Sequence, residues 1–248
     1  MPEEFTISVA GVPIRICAAF PEQKYILRDY LSDETPAFEV CPTDEDLIWE
    51  KEELDRRHPT DPYCPVLPDY FYEKLAVFRM TADRMPEYGA LLFFGSVVAA
   101  EGKAFLFTAP PGTGKTTHSL LWLDTLPQAH ILTDDKPFLK LTEEGKVLAC
   151  SSPWLGKELL GRNESLPLEA ICLLERAAEN GMEALLPGEA IPMLLAGAHI
   201  PRAPVGRLKA LRLLDGICRG VKLYRLQCTP DPSAAALSIR TLLGSIPS

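Results

Sequence analysis

Ala109-Pro110-Pro111-Gly112-Thr113-Gly114-Lys115-Thr116-Thr117 is the stretch on which the reading of this chain turns. It departs from the strict pattern G-x-x-x-x-G-K-[ST] at one place. Ala109 stands where the first glycine belongs, while the core Gly112-x-Gly114-Lys115-Thr116 is intact. The flanks suit a phosphate loop: Ala104 to Thr108 reads as a buried strand and Ser119 to Leu123 as a helix. Glycines let successive backbone N–H groups turn toward phosphates, and the following helix N-terminus adds partial positive charge. Pro111, Gly112, Thr113, Gly114, Lys115, Thr116 and Thr117 are therefore the expected cradle for the phosphates of a nucleotide. Lys115 can reach the β- and γ-phosphates, and the Thr116 hydroxyl can ligate Mg²⁺. The bland alternative is a glycine-rich strand-to-helix turn that carries a surface lysine.

Composition bounds the rest. The chain has 248 residues, 47% of them hydrophobic, enough for one large domain or two small ones around a sizeable core. An excess of 34 acidic over 25 basic residues argues against a general binder of nucleic acid or of a membrane surface. No apolar run approaches the ~20 residues a membrane helix needs. The acidic start Met1-Pro2-Glu3-Glu4 lacks the marks of a signal peptide. Cys17, Cys41, Cys64, Cys150, Cys172, Cys218 and Cys228 form no C-x-x-C pair and no zinc spacing. Their odd count and apolar neighbours, as in Ile171-Cys172-Leu173, predict reduced, mostly buried thiols and a cytoplasmic protein.

Before the loop, Phe5 to Val9 and Ile14 to Ala18 alternate like two strands joined by a turn at Gly11-Val12-Pro13. Thr43 caps a helix running toward Arg57, whose charges read as a solvated face. Pro59, Pro62, Pro65 and Pro68 break regular structure and read as a rigid connector. Asp69 restarts a helix with Tyr70, Phe71, Leu75 and Phe78 as its apolar stripe. Leu91 to Phe94 and Val97 to Ala100 are two further strands. After the loop helix come strands at Ala129 to Thr133, Phe138 to Thr142, Val147 to Cys150, Leu168 to Leu174 and Val221 to Gln227. Helices are expected from Gly188 to Ala198, with Pro192 in its first turn, and from Ser233 to Leu243. This order places an N-terminal α+β region at residues 1–85 and the phosphate-loop domain at 86–248.

Asp134 and Asp135 end the strand that follows the loop helix, where carboxylates can stand beside Mg²⁺. One can hold the metal, the other can accept a proton from an attacking hydroxyl. Adjacent side chains on a strand point to opposite faces, so both serve one site only where the chain is turning, as Lys136-Pro137 suggests. The alternative is a solvated Asp-Asp turn.

The pattern G-x-G-K-[ST] followed by an apolar strand ending in Asp-Asp resembles the C-terminal catalytic domain of HPr kinase/phosphorylase. It is similar, more distantly, to ATP-dependent phosphoenolpyruvate carboxykinase. Phe94-Gly95-Ser96, Ala109 to His118, Leu121-Trp122, Asp134 to Pro137, Pro153-Trp154-Leu155-Gly156-Lys157 and Asn163 resemble HPr-kinase-like proteins of bacteria over about residues 90–175. The resemblance implies an α/β phosphate-loop kinase core with a mixed sheet. It also implies ATP (or pyrophosphate) as donor, Mg²⁺, a homo-oligomer, and transfer to a hydroxyl of a small molecule, peptide or protein. Lys115, Asp134 and Asp135 become the catalytic set, with Thr116 and Asp135 as metal ligands. His118 joins the nucleotide-binding residues, or else is a helix-surface histidine. Lys157 and Arg162 are the available substrate cations, or else solvated. Two departures stand out. Phe94 occupies the place of a family histidine, and the Glu-x-Arg-Gly signature is absent. A carboxykinase and a non-catalytic nucleotide-binding regulator are the competing readings; the first needs a second metal site that so short a chain has little room for.

Overall fold

Ile7 faces Ile14 and Val9 faces Val12 across a tight turn, and this pairing founds the first of two compact units, Met1–Arg84. The computed structural model describes residues 3–57 and 67–244. Pro59, Pro62 and Pro65 of the expected connector, with His58 and Cys64, lie outside them. Strands β1 (Glu3–Val9) and β2 (Val12–Ala18) are antiparallel. Their turn is Ala10-Gly11, not Gly11 to Pro13. Both turn residues have positive φ (52° and 66°), as the two-residue hairpin turn demands, so Val12 and Pro13 already belong to the strand. Helix α1 (Glu22–Ile26) and strand β3 (Phe38–Val40) follow, and β3 pairs parallel to β2.

That pairing brings Cys17 and Cys41, each one residue past the Ile16–Val40 pair, to a Cα separation of 4.6 Å, where they form a disulfide. These two are therefore not the reduced thiols the composition suggested. Helix α2 (Asp44–Arg57) is capped as expected: the Asp46 N–H donates to Thr43 Oγ1 and the Thr43 N–H to Asp46 Oδ2. Its charges are not merely solvated. In helix α3 (Asp69–Arg84), Arg79 Nε donates to Glu50 (2.6 Å) and Nη2 to Asp46 (2.9 Å), with the guanidinium over the Trp49 ring. The buried face of α3 is Tyr72, Ala76 and Val77 rather than the bulkier stripe at 70, 71, 75 and 78, which is half-buried.

The second unit, Met85–Ser248, begins with β4 (Ala90–Leu92), β5 (Gly95–Ala100) and β6 (Lys103–Thr108), then helix α4 (Lys115–Thr125). It continues with β7 (His130–Thr133), β8 (Phe138–Leu141), β9 (Val147–Cys150), β10 (Ser165–Arg176) and β11 (Gly181–Ala184). Helices α5 (Pro187–Ala196) and α6 (Pro204–Gly220), strand β12 (Lys222–Cys228) and helix α7 (Pro232–Leu243) complete it. The strands form one mixed nine-stranded sheet. At its centre β6, β10 and β12 run parallel. Alternation along β6 sorts the core into two layers. Phe105 and Phe107 pack with Trp122 of α4 and Ile239 of α7, whereas Leu106 packs with Leu194 of α5 and Leu214 and Ile217 of α6.

Two expectations change here. Pro192 lies inside α5, because Pro187 takes the first-turn place after the extended Leu186. Helix α6 was not foreseen; its buried positions Ala210, Leu214 and Ile217 follow helical spacing amid charged and exposed residues. Helices α4 and α7 are joined by polar contacts as well as packing. Ser238 Oγ donates to the Ala235 carbonyl and accepts from Trp122 Nε1 (2.8 Å), while His118 Nε2 lies 3.1 Å away. Ser238→Ala leaves two enclosed ring nitrogens, Trp122 Nε1 and His118 Nε2, without this partner. At roughly 1–3 kcal/mol for each unsatisfied group, the unfolding free energy falls by about 2–6 kcal/mol, read as a lower urea midpoint at unchanged slope.

Candidate functional site

Strand β6 ends at Thr108, and the chain turns through Ala109 to Gly114 into α4. Gly112 (φ 78°) and Gly114 (φ 121°) adopt backbone conformations that residues with a Cβ rarely take. The Lys115 ammonium folds back over this loop and donates to the carbonyls of Ala109 (2.9 Å) and Pro110 (3.4 Å). Burial lowers its pKa, and the Asp135 carboxylate works in the opposite direction. From β10, the Arg176 guanidinium donates to the carbonyls of Gly112 and Thr113. The loop is thus held from both ends by cations on its carbonyls.

A cavity of about 880 Å³ lies against the loop. Pro110, Pro111, Gly112, Lys115 and Thr116 form one side, and Asp134, Asp135, Gly156 and Lys157 another. The remaining wall is largely apolar, with Phe94, Leu173 and Leu174 beside Met193 and Gly197 at the end of α5. The two aspartates are therefore brought to one cavity with Lys115 and Thr116. Lys157 is an exposed cation on its rim, whereas Arg162 is not among the lining residues; its backbone N–H donates to the Leu132 carbonyl. Thr113, Gly114, Thr117 and His118 line a second cavity instead.

The aspartates occupy different environments. Asp134 is 4% exposed. Its Oδ1 accepts from the Gly156 N–H (2.7 Å) and its Oδ2, more distantly, from Leu160 N–H (3.4 Å). Asp135 is half-buried, pairs with Lys136 and has its backbone carbonyl on the Gly95 N–H. Gly156 packs directly on the pair: a Cβ there would lie 2.9 Å from Asp135 Cβ and 3.0 Å from Asp134 Oδ2. Among the described residues no cluster of three His, Cys, Asp or Glu side chains forms a metal cage. The Thr116 hydroxyl and the Asp135 carboxylate nevertheless offer two hard oxygens in one cavity. That fits Mg²⁺, which completes its octahedron with phosphate oxygens and water rather than with an all-protein cage.

No family model matches the chain, and no curated protein matches it in sequence. Among solved structures, the Hpr(Ser) kinase/phosphatase from Coxiella burnetii is similar over 62% of this chain and 88% of that one. The identity is 12% and the TM-score 0.37, a likeness too slight to bear on function. Among the described residues no helix is long and apolar enough to cross a membrane.

Other assignments follow from the packing. Trp154 is buried with its ring edge-on to Phe138, which makes it a packing residue. His130, left without a role in the sequence, is paired with Glu164 at 2.7 Å. Arg176, Gly197 and Met193 carried no local signal, since only the sheet and α5 bring them to the loop. Gly156 stood in the quoted Pro-Trp-Leu-Gly-Lys run without a stated reason for being glycine.

His118 is not a surface histidine: it is 2% exposed, edge-on to Phe107, and burial pushes its pKa down to about 4. The folded value lies below the unfolded value of 6.5, so the unfolded chain takes up the proton first. Stability present above that unfolded value is lost as pH falls toward the folded one. Between about pH 7.5 and pH 5 the loss is roughly 2 kcal/mol. His118→Gln keeps an N–H for Ser238 without titrating there, so denaturation curves of the variant should lack this component of the pH dependence.

Proposed function

We propose that this chain transfers a phosphoryl group from ATP, with Mg²⁺, to a hydroxyl of a small molecule, peptide or protein. The observation that carries the reading is convergence. The first half of the glycine loop, Pro110 to Gly112, with Lys115, Thr116 and the Asp134-Asp135 pair, lines one cavity of about 880 Å³.

In this reading Pro111 to Thr117 form a phosphate loop. The Ala109 and Pro110 carbonyls that now hold the Lys115 ammonium give way to β- and γ-phosphate oxygens, which are stronger partners because they are charged. Thr116 and Asp135 would hold Mg²⁺, which supplies charge neutralisation across the β–γ bridge when bound. Lys136 then exchanges its present partner, Asp135, for solvent or phosphate. The acceptor enters along the apolar wall. Its hydroxyl oxygen bonds to the γ-phosphorus, the bond from that phosphorus to the bridging oxygen breaks, and the nucleoside diphosphate departs. The hydroxyl proton passes to Asp134, whose Oδ2 has only the long contact from Leu160. Most of the acceleration comes from position and charge, as is general for phosphoryl transfer.

One observation favours a second reading, nucleotide binding without transfer. Asp134 already serves two backbone N–H groups, and Phe94 lines the cavity in place of an imidazole. Turnover of ATP with candidate acceptors separates the two.

Lys115→Ala should weaken Mg·ATP at least tenfold, ~1.4 kcal/mol, in calorimetry. Equal binding by variant and wild type would overturn the loop assignment. Asp135→Asn should keep the fold and the nucleotide but lose transfer; a variant with wild-type turnover removes Asp135 from the mechanism.

A further inference from the structure

The residues of the glycine loop and its helix are shared between two cavities. The second, of about 320 Å³, is lined by Thr113 and Gly114 rather than by Lys115 and Thr116. Its size lies at the lower end of the range for small-molecule sites, roughly 300–1,000 Å³. Thr117 and Leu121 of α4 form one wall. Ala177, just past β10, and Thr229 and Pro230, just past β12, form the other. Apolar surfaces from Leu121, Ala177 and Pro230 thus alternate with two hydroxyls, a lining suited to a flat, weakly polar group that carries a few hydrogen-bonding atoms.

Arg176 joins this cavity to the loop. Its guanidinium is fixed by the Gly112 and Thr113 carbonyls and also lines the cavity, so it offers a planar cationic face already held in place. His118 contributes a buried imidazole to the same lining, fixed by Ser238 Oγ at 3.1 Å from its Nε2 and by the edge-on Phe107 ring.

We infer that this second cavity receives the nucleoside of the phosphoryl donor, so that the donor is a nucleoside triphosphate and not pyrophosphate. The inference rests on the transfer reading above. If the γ-phosphate lies with Lys115, Thr116 and the aspartates, the other end of the phosphate chain must leave the loop elsewhere. Thr113, Gly114 and Thr117 are the loop and helix residues that open onto a site of suitable size.

The test compares Mg·ATP with Mg·tripolyphosphate by calorimetry on the full chain. Wild type should bind ATP at least tenfold more tightly than tripolyphosphate. Ala177→Phe and Thr229→Trp, which fill the cavity from two separate loops, should each erase that difference while leaving tripolyphosphate binding unchanged. Equal affinity of wild type for the two ligands, or wild-type ATP affinity in both filled variants, overturns the nucleoside site while sparing the phosphate loop. Failure of wild type to bind either ligand overturns the transfer reading, and this inference with it.

Discussion

The parallel pairing of β10 with β6 on one flank and β12 on the other is the constraint on which both cavities depend. Thr108 stands opposite Leu173, and Arg176 opposite Cys228. Three strands therefore end at one edge of the sheet, and three loops begin there: the glycine loop, the turn after Arg176 and the turn after Cys228. Open sheets with parallel strands gather ligands at such carboxyl ends. The register is enforced from both faces. Phe107, Cys172 and Leu226 pack toward α4 and α7, and Leu106, Ile171 and Leu223 toward α5 and α6. A slip of one residue would exchange these sets and put each into the wrong layer.

The second constraint is Asp134. A carboxylate with almost no access to solvent has to be held by donors, and here the donors are backbone N–H groups of the segment 156–160. The aspartate thus positions the loop that carries Lys157, and the loop in turn closes over the aspartate. Gly156 makes this contact feasible, because any side chain there would collide with both members of the pair. The same contact separates the two carboxylates. Asp134 is fixed and enclosed, whereas Asp135 is exchangeable, its ion pair with Lys136 being partly open to water. Adjacent residues at a strand end thereby acquire different chemistry from their surroundings alone.

Legibility in the sequence follows the range of the interactions. The β6-loop-α4 segment was readable because strand alternation, glycines and helix spacing are all local. The two aspartates were readable by their place at a strand end. The hairpin turn at Ala10-Gly11 was misplaced by one residue, since Gly11 and Pro13 are both turn formers and only the backbone angles decide between them. Helix α6 was missed because its buried side is made of separated residues, Ala210, Leu214 and Ile217, among arginines and exposed leucines. The Cys17–Cys41 bond needed the β2–β3 pairing, which no local pattern announces. Arg176 could not be distinguished in the sequence from any other cation at a strand end.

The electrostatics of the loop draw these points together. The chain carries a net charge of −9, which disfavours the approach of a polyanion from a distance. At the loop cations and carboxylates are balanced: Lys115, Lys157 and Arg176 line the two cavities together with Asp134, Asp135 and Glu158, and the start of α4 adds its own partial positive charge. Two of these cations, Lys115 and Arg176, are now satisfied only by carbonyl oxygens of the loop itself. Lys115 is moreover half-buried, so its charge is poorly solvated and its pKa is depressed. A lysine in that position gains more from an incoming phosphate than a solvated one would, because its desolvation has already been met by the fold. The same burial that lowers the Lys115 pKa favours a negative charge beside its ammonium, as the Asp135 carboxylate already illustrates.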